Sequence, residues 1–500
     1  MTDAFQQALA EETRWIPEHQ LLAVRNAILS LVPAAAGLER LNHGAVVRLL
    51  GAATGLRRVL LRNPDMLDAL APIPEPRDRA GWLAQLERVV GDPATPEELG
   101  ARLRAARHRA TLGIAARELL EGDAPSVGRE LAAFCDAVLE VTLDRCARWQ
   151  RARYGTPRLA TGEPCTCVLI GLGKLGGQTM NLSPRVELLL VYASDQGRTD
   201  GAGGLGRRID LNTYHSHLFE AVAQALGGSP AEGAPDQALV LHVDMGGRPE
   251  GKTGALANSL ESMERYYECF GHPWERIAWV KARPVAGDLE LGARVIEAVR
   301  PFVYPRSIDP AFLDDIAAVK DRIEVRASRY ARRNGFDAKL GHGGVRQIEF
   351  TVQAMQLLWG GRQPSVQVPG TTEALTALAE TGFLAEAEAL ELGAAYRFAR
   401  HVEHAAQLGG HKLSGDTTRS RWLPGDPQSR AAIARVVARS LPREADAFYA
   451  DKTHNVYLTD PDPELGSHHP YNRQVVSTKG LIADDEVPAD SPLREIYDDM

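Results

Sequence analysis

The chain has 500 residues, of which 44% are hydrophobic and 24% are charged, and its formal net charge is -8. This length allows several domains, and the composition is typical of a soluble globular protein. The acidic balance argues against a basic surface for nucleic acid, so no nucleic-acid partner is expected. Neither a signal peptide nor a membrane-spanning segment is predicted, and five cysteines without a CxxC pair fit a reducing cytoplasm.

The first part of the chain has a helical pattern, which predicts an N-terminal helical domain over residues 1–157. Thr95, Pro96 and Glu98 form a capping box with proline at the first helical position. A second long helix is predicted from about Ser126 to Arg153, because its apolar residues fall on one stripe.

A glycine-rich loop follows a short apolar run, Val168 to Ile170, that predicts a buried strand. Met180 and Asn181 are assigned to a short helix after the loop, and Val186 to Tyr192 predicts a second strand. Glycines let a backbone approach a ligand closely, and the amides of a helix start favour an anion. The loop is therefore either a phosphate-binding turn or a tight strand-to-helix turn without a ligand. Its candidate nucleotide-binding residues are Gly171, Gly173, Lys174, Gly176 and Gly177.

The α/β pattern continues to about residue 256. A helix is predicted from about Ile209 to Leu226, and a third strand from Ala238 to Met245 carries Asp244 near its end. These elements predict an α/β module over residues 158–256.

Helical patterns return over residues 257–423, beginning with an amphipathic helix from Leu256 to Gly271. A helix from Asp309 to about Arg333 has a basic stripe, which is either solvated or faces an acidic partner. Residues 424–500 are predicted to be divergent and partly loop, and three histidines there either bind a metal or lie in a surface loop. The stripe and these histidines are Arg322, Arg326, Arg329, Arg333, His454, His468 and His469.

The glycine loop, written G-x-G-K-L-G-G-x-x-M-N-x-S, resembles the nucleotidyltransferase module of the glutamine synthetase adenylyltransferase family. Later segments resemble other signatures of that family in the same order, so the resemblance spans roughly residues 51–423. They contain Trp274, Glu275, Arg276, Lys281, Arg283, Gly287 and Asp288, then Lys339 to Phe350, then Tyr396, Arg400, Glu403, His404 and Gln407. The resemblance implies an α+β, mostly helical fold, in which helical domains flank a small, polymerase-β-like mixed sheet.

The resemblance also implies a nucleotide site with ATP or ADP as ligand and Mg²⁺ as cofactor. It adds Ser183, Arg248, Lys281 and Arg283 to the nucleotide-binding loop, and Lys339, Arg346 and Glu349 as further site residues. For Lys281 and Arg283 two interpretations stay open. They meet the nucleotide phosphates, or they form an internal ion-pair network with Glu275 and Asp288.

The chain departs from the family where the loop is normally followed by Ser-Asp-x-Asp, whose aspartates hold the metal ions. Here Pro184, Arg185, Val186 and Glu187 stand at those positions, so Glu187 and Asp244 are the remaining candidate catalytic and metal-binding acids. Glutamate displaces its oxygens by roughly one bond length, about 1.5 Å. Arg185, at the position of a missing acid, either pairs with an acid in place of the metal or binds a phosphate directly. Residues two apart on a strand share a face, so Arg185, Glu187 and Asp244 should face one cleft.

Full-length members of the family carry two such halves, one adding AMP to a tyrosine of glutamine synthetase and one removing it by phosphorolysis. This chain resembles a single half, the N-terminal, AMP-removing one. Glutamine synthetase is the implied partner, with a nitrogen-signalling regulatory protein as a second. Two hypotheses follow: an adenylyl-transferring or adenylyl-removing enzyme whose activity is reduced or lost, and a regulatory pseudoenzyme that binds a nucleotide or a partner.

Overall fold

A computed structural model of the chain describes most residues up to Leu408. The described residues are 3–12, 18–31, 40–121, 124–182, 185–227, 240–307, 312, 316, 318–320, 325, 339 and 344–408. Several residues singled out in the sequence lie outside them. These are Ser183, Pro184, the arginines at 322, 326, 329 and 333, and the histidines at 454, 468 and 469.

The N-terminal part is helical, as predicted. Its helices are α1 (Asp3–Glu12), α2 (Glu18–Leu31), α3 (His43–Ala52), α4 (Thr54–Arg62), α5 (Arg79–Val90), α6 (Pro96–Glu121) and α7 (Ala124–Tyr154), with a 3-10 helix at Pro64–Leu70. At the start of α6 the Thr95 hydroxyl accepts the amide of Glu98 at 3.2 Å. The Glu98 carboxylate accepts the amide of Ala94 at 2.8 Å, one residue before the position that a capping box uses.

A mixed sheet follows these helices. Its strands are β2 (Cys167–Gly171), β3 (Arg185–Tyr192), β5 (His242–Asp244), β6 (Ala257–Ser259) and β7 (Arg283–Gly287), in the order β5-β3-β2-β7 with β6 also on β3. Strand β2 is antiparallel to β3 and β7, whereas β5 and β6 are parallel to β3. A separate antiparallel ribbon joins β1 (Pro157–Leu159) to β4 (Gly197–Thr199).

The continuous apolar run of β3 is explained by cover on both faces of the sheet. Leu188, Leu190 and Tyr192 lie in one core together with residues of α7 and of α9 (Leu211–Leu226). Leu189 and Val191 lie in a second core on the opposite face, formed with the later helices. Strand β3 is therefore held between two packed layers. It fixes the position of the glycine loop and of its own residues Arg185 and Glu187.

The later helices complete an α+β, mostly helical fold, which confirms the predicted class. They are α8 (Gly173–Gly176), α10 (Leu260–Cys269), α11 (Pro273–Val280), α12 (Leu289–Val303), α13 (Val345–Trp359), α14 (Thr371–Glu380) and α15 (Glu386–Leu408). Within the described ranges, no helix combines the length and apolar character needed to span a membrane.

Three local predictions were wrong. Met180 and Asn181 are not helical; the helix after β2 is the single turn α8, and Gln178 then takes a left-handed conformation with φ of 53°. The predicted helix from Leu256 begins only at Leu260, because Ala257–Ser259 pairs with β3 as β6.

The predicted third strand is also shorter than expected. Only His242–Asp244 forms β5, and residues 238 and 239 lie outside the described part. The amides of Val240 and Leu241 both donate to the carbonyl of Leu226, at 3.0 and 3.1 Å. The last carbonyl of α9 thus accepts the two backbone amides that a longer strand would have used for pairing.

His215 on α9 is a buried neutral imidazole that predicts acid sensitivity. Its ring stacks on Tyr192 with centroids 4.6 Å apart, and neither ring nitrogen has a hydrogen-bond partner within the described structure. Burial lowers the pKa of His215 to about 3.

We expect the stability of the fold to fall as the pH drops below about 6.5, because the unfolded chain then binds a proton that folded His215 does not. The slope that His215 contributes is at most about 1.4 kcal/mol per pH unit. Urea unfolding at pH 7.5, 6 and 5 should show a smaller acid loss for His215→Phe than for the wild type. Equal acid losses in the two proteins would contradict this assignment.

Candidate functional site

The glycine loop is packed tightly against protein atoms on both sides. Gly173 has φ of 52°, and a Cβ there would lie 2.6 Å from Oε2 of Glu187. A Cβ on Gly176 would lie 1.9 Å from the carbonyl oxygen of Lys281, which no side chain can do without moving the backbone. These two glycines are therefore required by the fold itself, whether or not the loop meets a ligand.

Lys174 is the loop's only cation and is half-buried. Its ammonium group makes no hydrogen bond or ion pair with any residue that the structure describes, but it lies near Lys339, Arg400, Glu403 and Glu187. Burial, followed by the positive charge of Lys339, lowers the pKa of Lys174 to about 8. An ammonium group in this setting is suited to an anionic ligand, because an anion would supply the charge partner that it lacks.

The three cleft residues lie together at the β3–β5 edge. Glu187 is opposite Asp244 in the strand register, and Arg185 is opposite His242. Nη2 of Arg185 lies 2.5 Å from Oδ2 of Asp244, and the amide of Gly246 donates to Oδ1 of Asp244 at 2.8 Å. Both oxygens of Asp244 are thus engaged. Burial, and then the neighbouring Asp244, raise the pKa of Glu187.

These residues do not fit the divalent metal that the resemblance implies. Mg²⁺ requires several hard oxygen ligands at short distance. The guanidinium of Arg185 covers one oxygen of Asp244, and the Glu187 carboxylate is directed against Gly173. Across the described ranges, no group of three or more His, Cys, Asp or Glu side chains could hold a metal ion.

Lys281 and Arg283 form internal ion pairs, although with different partners from those predicted. Nζ of Lys281 lies 2.8 Å from Glu349, and Arg283 binds both carboxylate oxygens of Asp136 at 2.8 and 3.0 Å. Arg283 also donates to the carbonyl of Leu175 in the loop at 3.1 Å. The predicted network with Glu275 and Asp288 was therefore wrong.

Those two acids have local roles. Glu275 is buried and accepts from the hydroxyl groups of Tyr266 and Tyr267 at 3.2 and 3.4 Å. Asp288 caps α12 by accepting the amides of Glu290 and Leu291. The acid that the sequence prediction missed is Asp136, and the signal was its position among the apolar residues Cys135, Val138 and Leu139 of α7.

The other predicted site residues bind backbone groups or neighbouring side chains. Arg248 donates to the carbonyls of Met245, Lys252 and Gly254 at 2.7 to 3.1 Å, so it shapes the turn after β5. The carbonyl of Lys339 accepts the amide of Arg346 at 3.1 Å. The carboxylate of Glu349 binds two groups: it pairs with Lys281, and it accepts a hydrogen bond from the hydroxyl of Tyr396 at 3.0 Å.

The sequence profile of the glutamate-ammonia ligase adenylyltransferase family matches residues 43–298 of the chain. The chain belongs to this family. The match contains the helices α3 to α7, the mixed sheet and the glycine loop, and it confirms the resemblance drawn from the sequence signatures. A second profile, described as GlnD PII-uridylyltransferase, matches residues 317–432.

Curated relatives of this family member share about a third of its residues. Proteins named bifunctional glutamine synthetase adenylyltransferase/adenylyl-removing enzyme are 33% identical over 428 residues in Pseudomonas aeruginosa and 35% identical over 398 residues in Bordetella pertussis. These alignments cover 83% and 76% of this chain and 41% of each relative. A protein of the same name from Nitrosococcus oceani is 36% identical over 357 residues, covering 71% of this chain and 35% of the relative. The chain thus spans about two fifths of the length of these relatives.

Proposed function

We propose that this chain binds an adenine nucleotide and regulates glutamine synthetase, and that it resembles the AMP-removing half of the family with its phosphorolytic activity reduced or lost. The observation that carries the proposal is the ion pair between Arg185 and Asp244, which places a guanidinium on a carboxylate that a metal ion would need. The names of the curated relatives support glutamine synthetase as the partner. A cytoplasmic location and a nitrogen-signalling protein as second partner belong to the same proposal.

The loss of activity follows from charge. In phosphoryl and nucleotidyl transfer, metal ions held by carboxylates neutralise the charge on the phosphate oxygens. A guanidinium on Asp244 repels an incoming divalent cation, and the raised pKa of Glu187 makes its carboxyl group harder to ionise. A displacement of about 1 Å in such a site can reduce the rate on the order of 100-fold.

An active enzyme is the second candidate function, because 24% of the Arg185 side chain is exposed. A guanidinium that reaches the cleft can hold the inorganic phosphate that attacks the phosphorus of tyrosine-bound AMP. That attack would release ADP and leave the tyrosine hydroxyl. Arg185 would then act as a phosphate ligand in place of a metal-binding acid.

Mass spectrometry of glutamine synthetase distinguishes the two candidates. The purified chain is incubated with the adenylylated and the unmodified enzyme, with phosphate, ATP and Mg²⁺ supplied together or singly. A mass that stays constant supports the regulatory pseudoenzyme. Loss of AMP from the modified enzyme, with ADP formed in equal amount, would support the active enzyme.

Nucleotide binding should survive without a metal, because Lys174 and the loop amides remain while the metal ligands do not. Calorimetric titration with ATP or ADP at pH 7 should show binding that EDTA leaves unchanged and that Lys174→Ala weakens. Since the pKa of Lys174 is lowered to about 8, binding should also weaken between pH 7 and pH 9 as the ammonium loses its proton. That pH dependence should be absent from Lys174→Ala. No heat at millimolar nucleotide would exclude the proposed binding.

A further inference from the structure

One helix, α15, holds the backbone that leaves the glycine loop. Four consecutive residues after the loop each bond to a side chain of this helix. Nη2 of Arg400 donates to the carbonyls of Thr179 and Met180 at 2.6 and 2.8 Å. Glu403 accepts from the side-chain amide of Asn181 at 2.8 Å, and Gln407 accepts the backbone amide of Leu182 at 2.8 Å. We call Arg400, Glu403, His404 and Gln407 the α15 clamp.

Three residues of the clamp, Arg400, Glu403 and His404, form a buried network of polar side chains. Arg400 forms an ion pair with Glu403, and 3% of each side chain is exposed. Nε2 of His404 lies 3.2 Å from Arg400, and Nδ1 of His404 lies 2.7 Å from Oε1 of Glu118 on α6. A guanidinium only donates hydrogen bonds, so Nε2 must accept and the proton resides on Nδ1, facing Glu118. In this tautomer His404 contacts the same nitrogen, Nη2 of Arg400, that donates to the carbonyls of Thr179 and Met180.

Residues 179–182 depend on these contacts for their conformation. Gln178, immediately before it, has φ of 53°, a left-handed conformation that costs a residue with a Cβ on the order of 1 kcal/mol. The segment has no helix or strand ladder of its own. Strain of this kind persists only where surrounding contacts enforce it.

The clamp reaches Lys174 through a single residue, Thr179. The amide of Thr179 donates to the carbonyl of Lys174 at 2.8 Å, while the carbonyl of Thr179 accepts from Arg400. The charge of Glu403 also acts on the Lys174 ammonium directly. We propose that the α15 clamp positions Lys174: Arg400, Glu403, His404 and Gln407 are positioning residues that make the nucleotide loop depend on a helix about 220 residues further along the chain.

Two readouts on the full chain test this, and only the second rests on the proposed nucleotide binding. The first is hydrogen exchange of the Thr179 and Leu182 amides without ligand, and the second is ATP affinity by calorimetry. Arg400→Met should speed exchange of both amides at least tenfold and weaken ATP binding by a similar factor. Arg400→Lys keeps a charge and can reach one carbonyl. Its exchange rates and its ATP affinity should therefore lie between those of Arg400→Met and those of the wild type.

Matched variants separate clamping from general stability. Gln407→Met removes only the bond to Leu182, so it should speed exchange of that amide and leave the fold intact even if Arg400→Met does not fold. Leu392→Ala destabilises the same helix through a fully buried side chain that does not touch the segment. It should leave both readouts within about twofold of the wild type.

Each outcome decides a part of the proposal. Unchanged exchange in Arg400→Met, or in Gln407→Met when Arg400→Met does not fold, would overturn the clamp. Faster exchange with unchanged ATP affinity would overturn its role in positioning Lys174. A wild type that binds no ATP would refute the proposed nucleotide binding, while the exchange readout would still decide the clamp. An equal effect of Leu392→Ala would show that these contacts matter only for stability.

Discussion

Replacing Arg185 and Glu187 together by aspartate should restore divalent-metal binding to the cleft and, with it, phosphorolytic release of ADP from adenylylated glutamine synthetase. Arg185→Asp removes the guanidinium that lies 2.5 Å from Asp244 and puts a carboxylate on the same face of β3. Glu187→Asp withdraws the second carboxylate by about one bond length, toward the position that the family uses. Three acids would then surround one cleft.

Each change alone should do little, because the remaining residue still blocks the site. Aspartate at 185 leaves Glu187 misplaced against Gly173, and aspartate at 187 still faces the guanidinium. The two substitutions should therefore be strongly non-additive, as expected for groups that share one ligand. Calorimetry with Mn²⁺ in the presence of ATP measures the binding, and the mass of glutamine synthetase measures the turnover.

A charge-matched control is available at β4 and at the turn that follows β1. Arg198→Asp with Glu163→Asp makes the same exchange of residue types at exposed positions, and it should leave metal binding at the wild-type level. Adding Pro184→Ser tests whether the fixed φ of proline before the site limits the restoration. If the wild type already turns over at a rate that the double variant does not improve, the lost-activity proposal is wrong and Arg185 is a working phosphate ligand.

The features predicted correctly from sequence are those that a local pattern determines. The alternation of β3 placed Arg185 and Glu187 on one face, and the apolar run after them predicted a strand. The glycine loop was recognisable because its spacing is contained within a few residues. The fold class followed from the succession of helical and strand patterns and from the family signatures.

The features missed depend on contacts between distant parts of the chain. Arg283 meets Asp136 across 147 residues, and Arg400 meets Met180 across 220. No local periodicity records which acid a buried cation will face, so Glu275 and Asp288 were reasonable but incorrect partners for Lys281 and Arg283. Met180 and Asn181 were wrongly assigned to a helix, and the side chains that bind them in a non-helical conformation lie on α15, about 220 residues further along the chain.

Breaking the ion pair between Arg283 and Asp136 should destabilise the fold strongly. It joins α7 to β7, and Arg283 also donates to the loop carbonyls of Leu175 and Gly176. Only 2% of the Asp136 side chain is exposed. Removing one partner leaves an uncompensated buried charge, which typically destabilises by about 3–5 kcal/mol.

Arg283→Met and Asp136→Leu should therefore each lower the free energy of unfolding by that order, whereas the double variant should recover most of the loss because neither charge remains. Arg79→Met is the matched control, since it breaks a half-exposed pair with Glu140 on the same helix and should cost about 1 kcal/mol or less. Urea unfolding of the four variants at pH 7 gives the comparison. If the double variant loses as much free energy of unfolding as the two single variants together, the two residues do not form a buried, mutually dependent pair.

The loss in the free energy of unfolding of Arg283→Met should also depend on pH, and Asp136 determines the direction of that dependence. Burial raises the pKa of Asp136 even beside Arg283, and removing the arginine takes away the hydrogen bonds and charge that oppose this rise. The folded variant then holds a proton on Asp136 that the unfolded chain releases above about pH 4. Its stability relative to the wild type should be highest near pH 4 to 5 and fall as the pH rises toward 8. Asp136→Leu carries no such group, whereas the raised pKa of Asp136 makes the wild type lose stability as the pH rises. The deficit of Asp136→Leu relative to the wild type should therefore shrink, not grow, over the same range. A deficit that grows with pH in both variants would assign the effect to another residue.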